Sequence, residues 1–185
     1  MIGKIEIYMS EDFNPYRNLA TEKLLLDSVG EDSLILYLWQ NEKTVVIGRN
    51  QNPLAECNCA LLKEENGFLA RRLSGGGAVF HDCGNLNFTF LCCTENYDLE
   101  KQLRVIQKAC EMAGIHAELN GRNDLLADGR KFSGNAFYNS KGKSYHHGTI
   151  LINADKEKLT KYLTPPKAKL WAKGVKMNKK SEKVL

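Results

Sequence analysis

The sequence predicts an α+β domain built on a mixed, largely antiparallel β-sheet flanked by helices. Three observations carry that expectation. The 185 residues suffice for one domain with a real core and are too few for two large ones. Several strand-like runs and apparent hairpins stand between helical stretches, without the regular strand–helix alternation of a parallel sheet. Hydrophobic residues make up 43% and charged residues 26%, a globular balance and not a disordered or fibrous one.

Residues 4–9 alternate polar and apolar, as a strand does. Asn14-Pro15 then opens a helix, the asparagine as cap and the proline at the first helical position, with Leu19, Leu24, Leu25 and Val29 as its buried face. Residues 33–40 and 44–47 are β-rich, and Gln40-Asn41-Glu42-Lys43 between them reads as a hairpin turn. Pro53 opens a second helix toward Glu65, and residues 68–72 return as a strand. Residues 85–93 (Asn-Leu-Asn-Phe-Thr-Phe-Leu-Cys-Cys) form the clearest strand. An amphipathic helix follows over residues 99–114, with Leu103, Ile106 and Cys110 on one face and Gly114 as its stop. Strands are expected at 124–127, 130–138 and 145–152, then a short helix capped by Asp155 and ending near Leu163. Beyond Pro165-Pro166 the apolar period is lost, and the last dozen residues are expected to fray.

The net charge of +4 is unevenly placed. Residues 156–185 hold ten lysines against Glu157 and Glu182, which leaves −4 for residues 1–155. The body carries no Arg/Lys stripe interleaved with aromatics, so no nucleic-acid partner is expected. No apolar run approaches the length that spans a bilayer, and the N-terminus lacks the apolar stretch of a signal peptide. The expectation is no membrane and a cytoplasmic location. The six cysteines show no paired C-x-x-C spacing, and they read as reduced, buried apolar groups instead of a disulfide framework or zinc site.

The segment Arg71-Arg72-Leu73-Ser74-Gly75-Gly76-Gly77-Ala78-Val79-Phe80-His81-Asp82 stands out. Three glycines after a strand can adopt positive φ and aim several N–H groups at one point, a nest for an anion. The arginines add planar forks that grip phosphate or carboxylate, and Ser74 offers a hydroxyl at the rim. A P-loop is excluded because Ala78-Val79-Phe80 stands where Gly-Lys-Ser/Thr is needed, and a dinucleotide fingerprint because the glycines are contiguous. A glycine-rich hairpin without a ligand is the plainer reading of the same residues.

Continued through Gly84-Asn85-Leu86-Asn87-Phe88-Thr89-Phe90, this segment resembles the lipoate-binding loop and following strand of the lipoate–protein ligase family. Leu38-Trp39-Gln40, residues 45–53, Gly121-Arg122-Asn123-Asp124-Leu125, residues 129–136 and residues 145–153 resemble further blocks of that family. The resemblance implies the biotin/lipoate protein ligase catalytic fold and ATP-dependent activation of lipoate to lipoyl-AMP. Transfer to a lysine of an acceptor protein would follow. It places Arg71, Ser74, Gly75, Gly76 and Gly77 around the lipoyl tail and activated phosphate, and Val79, Phe80 and Asn85 at the adenine floor. Trp39, His147 and Gly148 fall beside the lipoyl chain. Asn123 and Asp124 fall near the nucleotide, with Asp124 a ligand for Mg²⁺. Ser133 lies in the block that carries the family's essential lysine, which falls on Lys131. A fixed ammonium there lowers the repulsion between a carboxylate and the ATP α-phosphate, so Lys131 acts by charge and position. Without the resemblance, Lys131 reads as a solvated strand residue after an Asp128-Gly129 turn. His81 is expected to cap the turn at Asp82-x-Gly84, and adjacent His146 and His147 to face opposite sides of a strand.

The implied partners are acceptor lipoyl domains of 2-oxoacid dehydrogenase complexes or the glycine cleavage H protein. The resemblance covers roughly residues 4–175, giving an expected catalytic domain of residues 1–175, a lysine-rich tail at 176–185 and no C-terminal accessory domain. Residues 176–180 replace the family's closing loop, so a separately encoded accessory subunit is a further expected partner. Two alternatives stay open. An octanoyl or lipoyl transferase would use a cysteine thioester, but no cysteine lies between Cys110 and Lys131. A non-catalytic lipoate-binding remnant would bind without turnover.

Overall fold

The computed structural model describes residues 2–120 and 124–163. The expectations placed on Arg122, Asn123, residues 164–175 and the tail at 176–185 lie outside the described residues. In chain order the elements are β1 (Lys4–Met9), α1 (Pro15–Ser28), β2 (Ser33–Trp39), β3 (Thr44–Ile47), α2 (Pro53–Glu56) and α3 (Cys59–Glu64). Then come β4 (Phe68–Arg71), β5 (Val79–His81), β6 (Asn85–Cys93), α4 (Leu99–Met112) and β7 (Glu118–Asn120). Last are β8 (Asp124–Ala127), β9 (Arg130–Ser140), β10 (Lys143–Leu151) and α5 (Lys156–Tyr162). No described helix is long and apolar enough to cross a membrane, which says nothing about spans made of strands.

The strands form a seven-stranded sheet in the order β1-β2-β6-β10-β9-β8-β7 and a three-stranded sheet in the order β4-β3-β5. In each sheet one pair is parallel, β1 with β2 and β3 with β4, and the others are antiparallel. This is the mixed, largely antiparallel α+β fold that the sequence predicts. The clearest predicted strand, β6, is central because both its faces are buried. Phe88 and Phe90 pack with Ile106 and Cys110 of α4, while Leu91 packs with Leu25, Leu26, Tyr37 and Trp39 on the α1 side. Side chains alternate across a strand, so the continuous apolar run from Phe90 to Cys93 supplies apolar groups to both faces. Each such Phe or Leu contributes about 1.5–3 kcal/mol. The small sheet has its own core, where Val45, Ile47, Leu62 and Phe80 meet Tyr162 of α5.

Helix boundaries follow the local signals. The Asn14 side chain accepts from the amides of Tyr16 and Arg17, with Pro15 at the first turn, and the Asp98 and Asp155 side chains accept from the Lys101 and Lys158 amides. Gly114 stands at φ +78°, the left-handed position that ends α4.

Three expectations are corrected. Residues 40–43 do not close a hairpin. They carry the chain from the large sheet to the small one, because β2 is already paired by β1 and β6 and β3 is taken by β4 and β5. The single helix from Pro53 is two short ones, since the extended Cys57 breaks it and the Asn58 side chain caps the second. In α1 Leu24 is exposed at 67%, and Asn18, Glu22 and Leu26 join Leu25 on the buried face.

Candidate active site

A cavity of about 310 Å³ lies between the large sheet and the glycine loop. Its floor is the sheet face that carries Trp39, Asn87, His147 and Thr149, and its roof comes from Val46, Gly76, Gly77, Ala78, Val79 and His81 of the small sheet and loop. Trp39 and His81 are each 3% exposed, with rings 6.1 Å apart edge to face, and they close one end. Lys131 and Asp124 stand at the other, 45% and 39% exposed and joined Nζ to Oδ1 at 2.7 Å. β2 and β9 are three strand spacings apart in the sheet, so the cavity runs about 14 Å from Trp39 to Lys131.

Lys131 reaches this site through an irregularity in β9. The pairing of β8 with β9 slips between Leu125 and Leu126, so that Ser133 faces Leu125 but Lys131 faces Leu126. The extra residue reverses the alternation and sets Lys131 on the same face as Gly134. A Cβ at Gly134 would stand 3.4 Å from Lys131 Cε, so the missing side chain makes room for the lysine. Gly134 in turn pairs with Asp124, which brings the carboxylate under the ammonium.

The glycine loop is held by one buried guanidinium. Arg72 Nε donates to Ser74 Oγ (3.1 Å), Nη1 to the Val46 carbonyl (3.1 Å), and Nη2 to the Gly75 and Gly77 carbonyls (2.7 Å each). In a trans peptide the C=O of one residue and the N–H of the next point opposite ways, so the Gly76 and Ala78 amides face away from Arg72. Gly76 alone of the three glycines has positive φ, +93°, and a Cβ there would lie 2.9 Å from Arg72 Nη2. A Cβ at Gly48 would stand 2.4 Å from the Gly76 carbonyl, so the loop rests on bare backbone.

Beneath the loop runs a chain of hydrogen bonds. Ser74 Oγ, which accepts from Arg72, also lies 2.7 Å from His147 Nε2. His147 Nδ1 donates to Glu22 Oε1 at 2.9 Å. Thr89 Oγ1 donates to the same oxygen at 2.7 Å and accepts from Trp39 Nε1 at 3.1 Å. Glu22 is 2% exposed and was not singled out from the sequence. Its signal was a carboxylate on the buried face of α1, beside Leu25 and Leu26.

The structure brings Trp39, Gly76, Gly77, Val79, Asp124, Lys131, His147 and Gly148 of the expected residues to the cavity wall. It places others elsewhere. Arg71 is exposed, and its Nη1 donates to the carbonyls of Gly48, Arg49 and Gln51, so Arg72 is the arginine of the wall. Ser74 is 1% exposed and lies beneath the loop, not at its rim. Phe80 points into the small-sheet core against Tyr162, ring centres 5.2 Å apart, because alternation turns Val79 inward. Ser133 is buried off the wall, with Asn135 Nδ2 at 3.5 Å from its Oγ. Asn85 is fully buried behind Asn87, donating Nδ2 to Asn87 Oδ1 at 3.0 Å. Gly75 is exposed and outside the wall.

His81 does not cap the following turn. Asp82 does so itself, accepting the Gly84 amide at 2.8 Å, while His81 Nδ1 lies 3.2 Å from Asn41 Nδ2. Burial holds the His81 imidazole down to about 3, with the Arg72 and His147 charges adding to the effect. His146 faces the α4 side, between Gln102 Oε1 and Asn135 Oδ1, and burial likewise lowers it to about 3.

Residues 14–184 match the family described as the lipoyl protein ligase A/B catalytic domain. The chain belongs to this family. It is 50% identical over 175 residues to lipoate-protein ligase A of Bdellovibrio bacteriovorus, covering 92% of this chain and 52% of that protein. The chain thus spans about half the length of the curated relatives it matches. Plasmodium falciparum LipL1, solved in complex with lipoate, superposes with a TM-score of 0.80 at 38% identity, over 88% of this chain and 52% of that one. A lipoate-protein ligase A bound with ATP gives 0.76 at 28% identity, over 90% and 73%. The bi-partite lipoate protein ligase of Thermoplasma acidophilum, studied with its E2 lipoyl domain, gives 0.76 at 26%, over 95% and 72%.

Proposed function

We propose that this domain binds lipoate in the cavity, activates it with ATP to lipoyl-AMP, and transfers the lipoyl group to a lysine of an acceptor lipoyl domain. The observation that carries this reading is the cavity's polarity. Its closed end is buried and edged by Trp39, and its open end holds the paired Lys131 and Asp124 beside the glycine loop. An acyl tail fits the first and a reacting, charged carboxyl group the second.

In activation the lipoate carboxylate oxygen attacks the α-phosphorus of ATP and pyrophosphate leaves. Lys131 Nζ, positioned by the bulge and Gly134, offsets the negative charge that converges there. The outward amides of Gly76 and Ala78 are donors for phosphoryl oxygens. In transfer the acceptor lysine amine attacks the acyl carbonyl carbon, AMP leaves and an amide forms, with Lys131 holding the carbonyl oxygen. Among the described residues no three His, Cys, Asp or Glu side chains gather as a metal cage. A Mg²⁺ carried by ATP needs only one or two carboxylates besides phosphate oxygens, and Asp124 would supply one, with Mg²⁺ further neutralising the phosphates. A thioester route has no support in the wall, which contains no cysteine.

We take residues 1–175 as the catalytic domain and 176–185 as its tail. Acceptor lipoyl domains of 2-oxoacid dehydrogenases or the glycine cleavage H protein are the partners of this chemistry, and a separately encoded accessory subunit is a third. The test mixes the protein with preformed lipoyl-adenylate and an acceptor lipoyl domain, then with lipoate, Mg²⁺ and ATP, and follows the acceptor's mass. Transfer in both cases is the activity of a whole ligase. Transfer from the adenylate alone gives an acyl-transfer site whose activation step needs the accessory subunit. Transfer in neither overturns the enzymatic reading in favour of a binding protein.

A further inference from the structure

Cys57 and Cys59 hold their sulfur atoms 3.5 Å apart at the junction of α2 and α3. A C-x-C spacing does not by itself bring two side chains together, since two residues of extended chain span up to about 7 Å. Here Asn58 adopts φ −78° and ψ 81°, and the Cys59 amide donates to the Cys57 carbonyl at 3.0 Å. That is an inverse γ-turn, which shortens the step between the two Cα atoms into the range of about 4.4–6.8 Å that a disulfide spans.

The turn is held from both sides. The Cys57 amide donates to the Pro53 carbonyl at 3.0 Å and the Asn58 amide to the Tyr162 carbonyl at 2.9 Å, while Asn58 Oδ1 accepts the Leu61 amide at 3.2 Å. The backbone is thus fixed in place, and side-chain rotation is the movement left to bring the sulfurs to bonding distance. The two thiols are unequal. Cys57 is 3% exposed in the small-sheet core with Val45, Leu62 and Tyr162, whereas Cys59 is only half-buried at its edge. Burial pushes the Cys57 thiol up to about 12, with Cys59 and Glu56 beside it adding to the effect, so Cys57 is the poorer first nucleophile. Among the described residues no third His, Cys, Asp or Glu completes a metal cage around the pair.

We propose that Cys57 and Cys59 are a redox-active dithiol, which low-molecular-weight disulfides convert into an intramolecular Cys57–Cys59 disulfide. Cys59, as the thiolate, attacks one sulfur of the oxidant, whose S–S bond breaks and releases one thiolate. Cys57 then gives its proton to that thiolate and attacks Cys59 Sγ. The Cys57–Cys59 bond forms, and the oxidant's second thiolate leaves and takes up the proton that Cys59 had lost. The protein gives up two electrons and two protons, and the oxidant becomes two thiols. Neither cysteine lines the cavity, so the pair acts independently of what the cavity holds.

The test equilibrates the intact protein in buffers of graded oxidised to reduced glutathione, quenches with acid, unfolds and alkylates the chain, and weighs the peptide that contains both cysteines. From reducing to oxidising buffer, alkylation of Cys57 and Cys59 is expected to fall together by about tenfold or more, and the peptide to carry no glutathione. Cys83 is exposed and has no cysteine hydrogen-bonded to it, so it should stop at a glutathione adduct. Cys57→Ser should hold Cys59 at that same adduct stage, and Cys59→Ser should leave Cys57 open to alkylation throughout. A stable glutathione adduct on Cys59 of the unmutated protein overturns the dithiol, as does full alkylation of both cysteines in the most oxidising buffer. Should a variant fail to fold, the peptide masses of the unmutated protein decide alone.

Discussion

His147 Nδ1 lies 2.9 Å from Glu22 Oε1 across 125 positions of sequence, joining the predicted block at residues 145–153 to the first helix. Glu22 also accepts from Thr89, and His147 Nε2 is hydrogen-bonded to Ser74 Oγ, so one buried pair ties α1, β6, β10 and the glycine loop together. Removing Glu22 leaves two donors facing an apolar void. Glu22→Ala is expected to lower stability by about 3–5 kcal/mol, and Glu22→Gln, which keeps one accepting oxygen, by less than half of that. Urea unfolding curves of the two variants compare them directly, and equal losses would show that the pair is not what holds the loop.

Arg72 and Arg71 are adjacent yet do different work. Arg72→Ala removes the charged donor shared by the carbonyls of Val46, Gly75 and Gly77, an expected loss of about 3 kcal/mol or more. Arg72→Lys should recover little, since an ammonium cannot reproduce the fork. Arg71→Ala removes an exposed staple and should cost about 1 kcal/mol. Denaturant midpoints for the three variants test the ranking.

Of the three loop glycines at 75–77, Gly76 alone is expected to resist alanine. Positive φ and the nearby guanidinium predict a loss of about 1–3 kcal/mol for Gly76→Ala. A Cβ at Gly75 or Gly77 meets nothing within 4 Å, so those substitutions should stay within about 0.5 kcal/mol. Thermal melts of the three variants settle the matter, and a uniform loss would contradict it.

Lys131→Ala is expected to leave lipoate binding within about threefold while lowering transfer from lipoyl-adenylate by about 10²–10³. Calorimetry reads the first and acceptor mass the second. Unchanged transfer would remove Lys131 from the chemistry.

The buried histidines set an acid response. His81 and His146 titrate near 3 in the fold against an ordinary value of 6.5, so the unfolded chain binds more protons between those limits. Their contribution to stability is complete above about pH 6.5 and is lost as pH falls toward 3, at up to about 1.4 kcal/mol per pH unit for each histidine. Urea midpoints between pH 7 and 5, above the carboxylate range, should fall with acidification. The slope should flatten in His146→Gln. An unchanged slope in that variant would locate the acid sensitivity elsewhere.

The sequence by itself determined what depends on near neighbours. The apolar run of β6, the 3.6-residue stripe of α4, the caps at Asn14, Asp98 and Asp155, and the glycine loop with its arginines all follow from local sterics and hydrogen bonding. A clue also stood in β6, where Asn85, Asn87 and Thr89 at alternate positions mark a polar stripe inside an apolar strand. The tertiary structure alone decided the rest. Which sheet β3 joins, whether Val79 or Phe80 faces the cavity, which arginine splints the loop, and how a one-residue slip brings Lys131 over Gly134 are all matters of pairing and register. The Glu22–His147 contact is the extreme case. Local propensity is set within a turn or two of the chain, whereas such a contact forms only when distant elements have closed and buried their surfaces together.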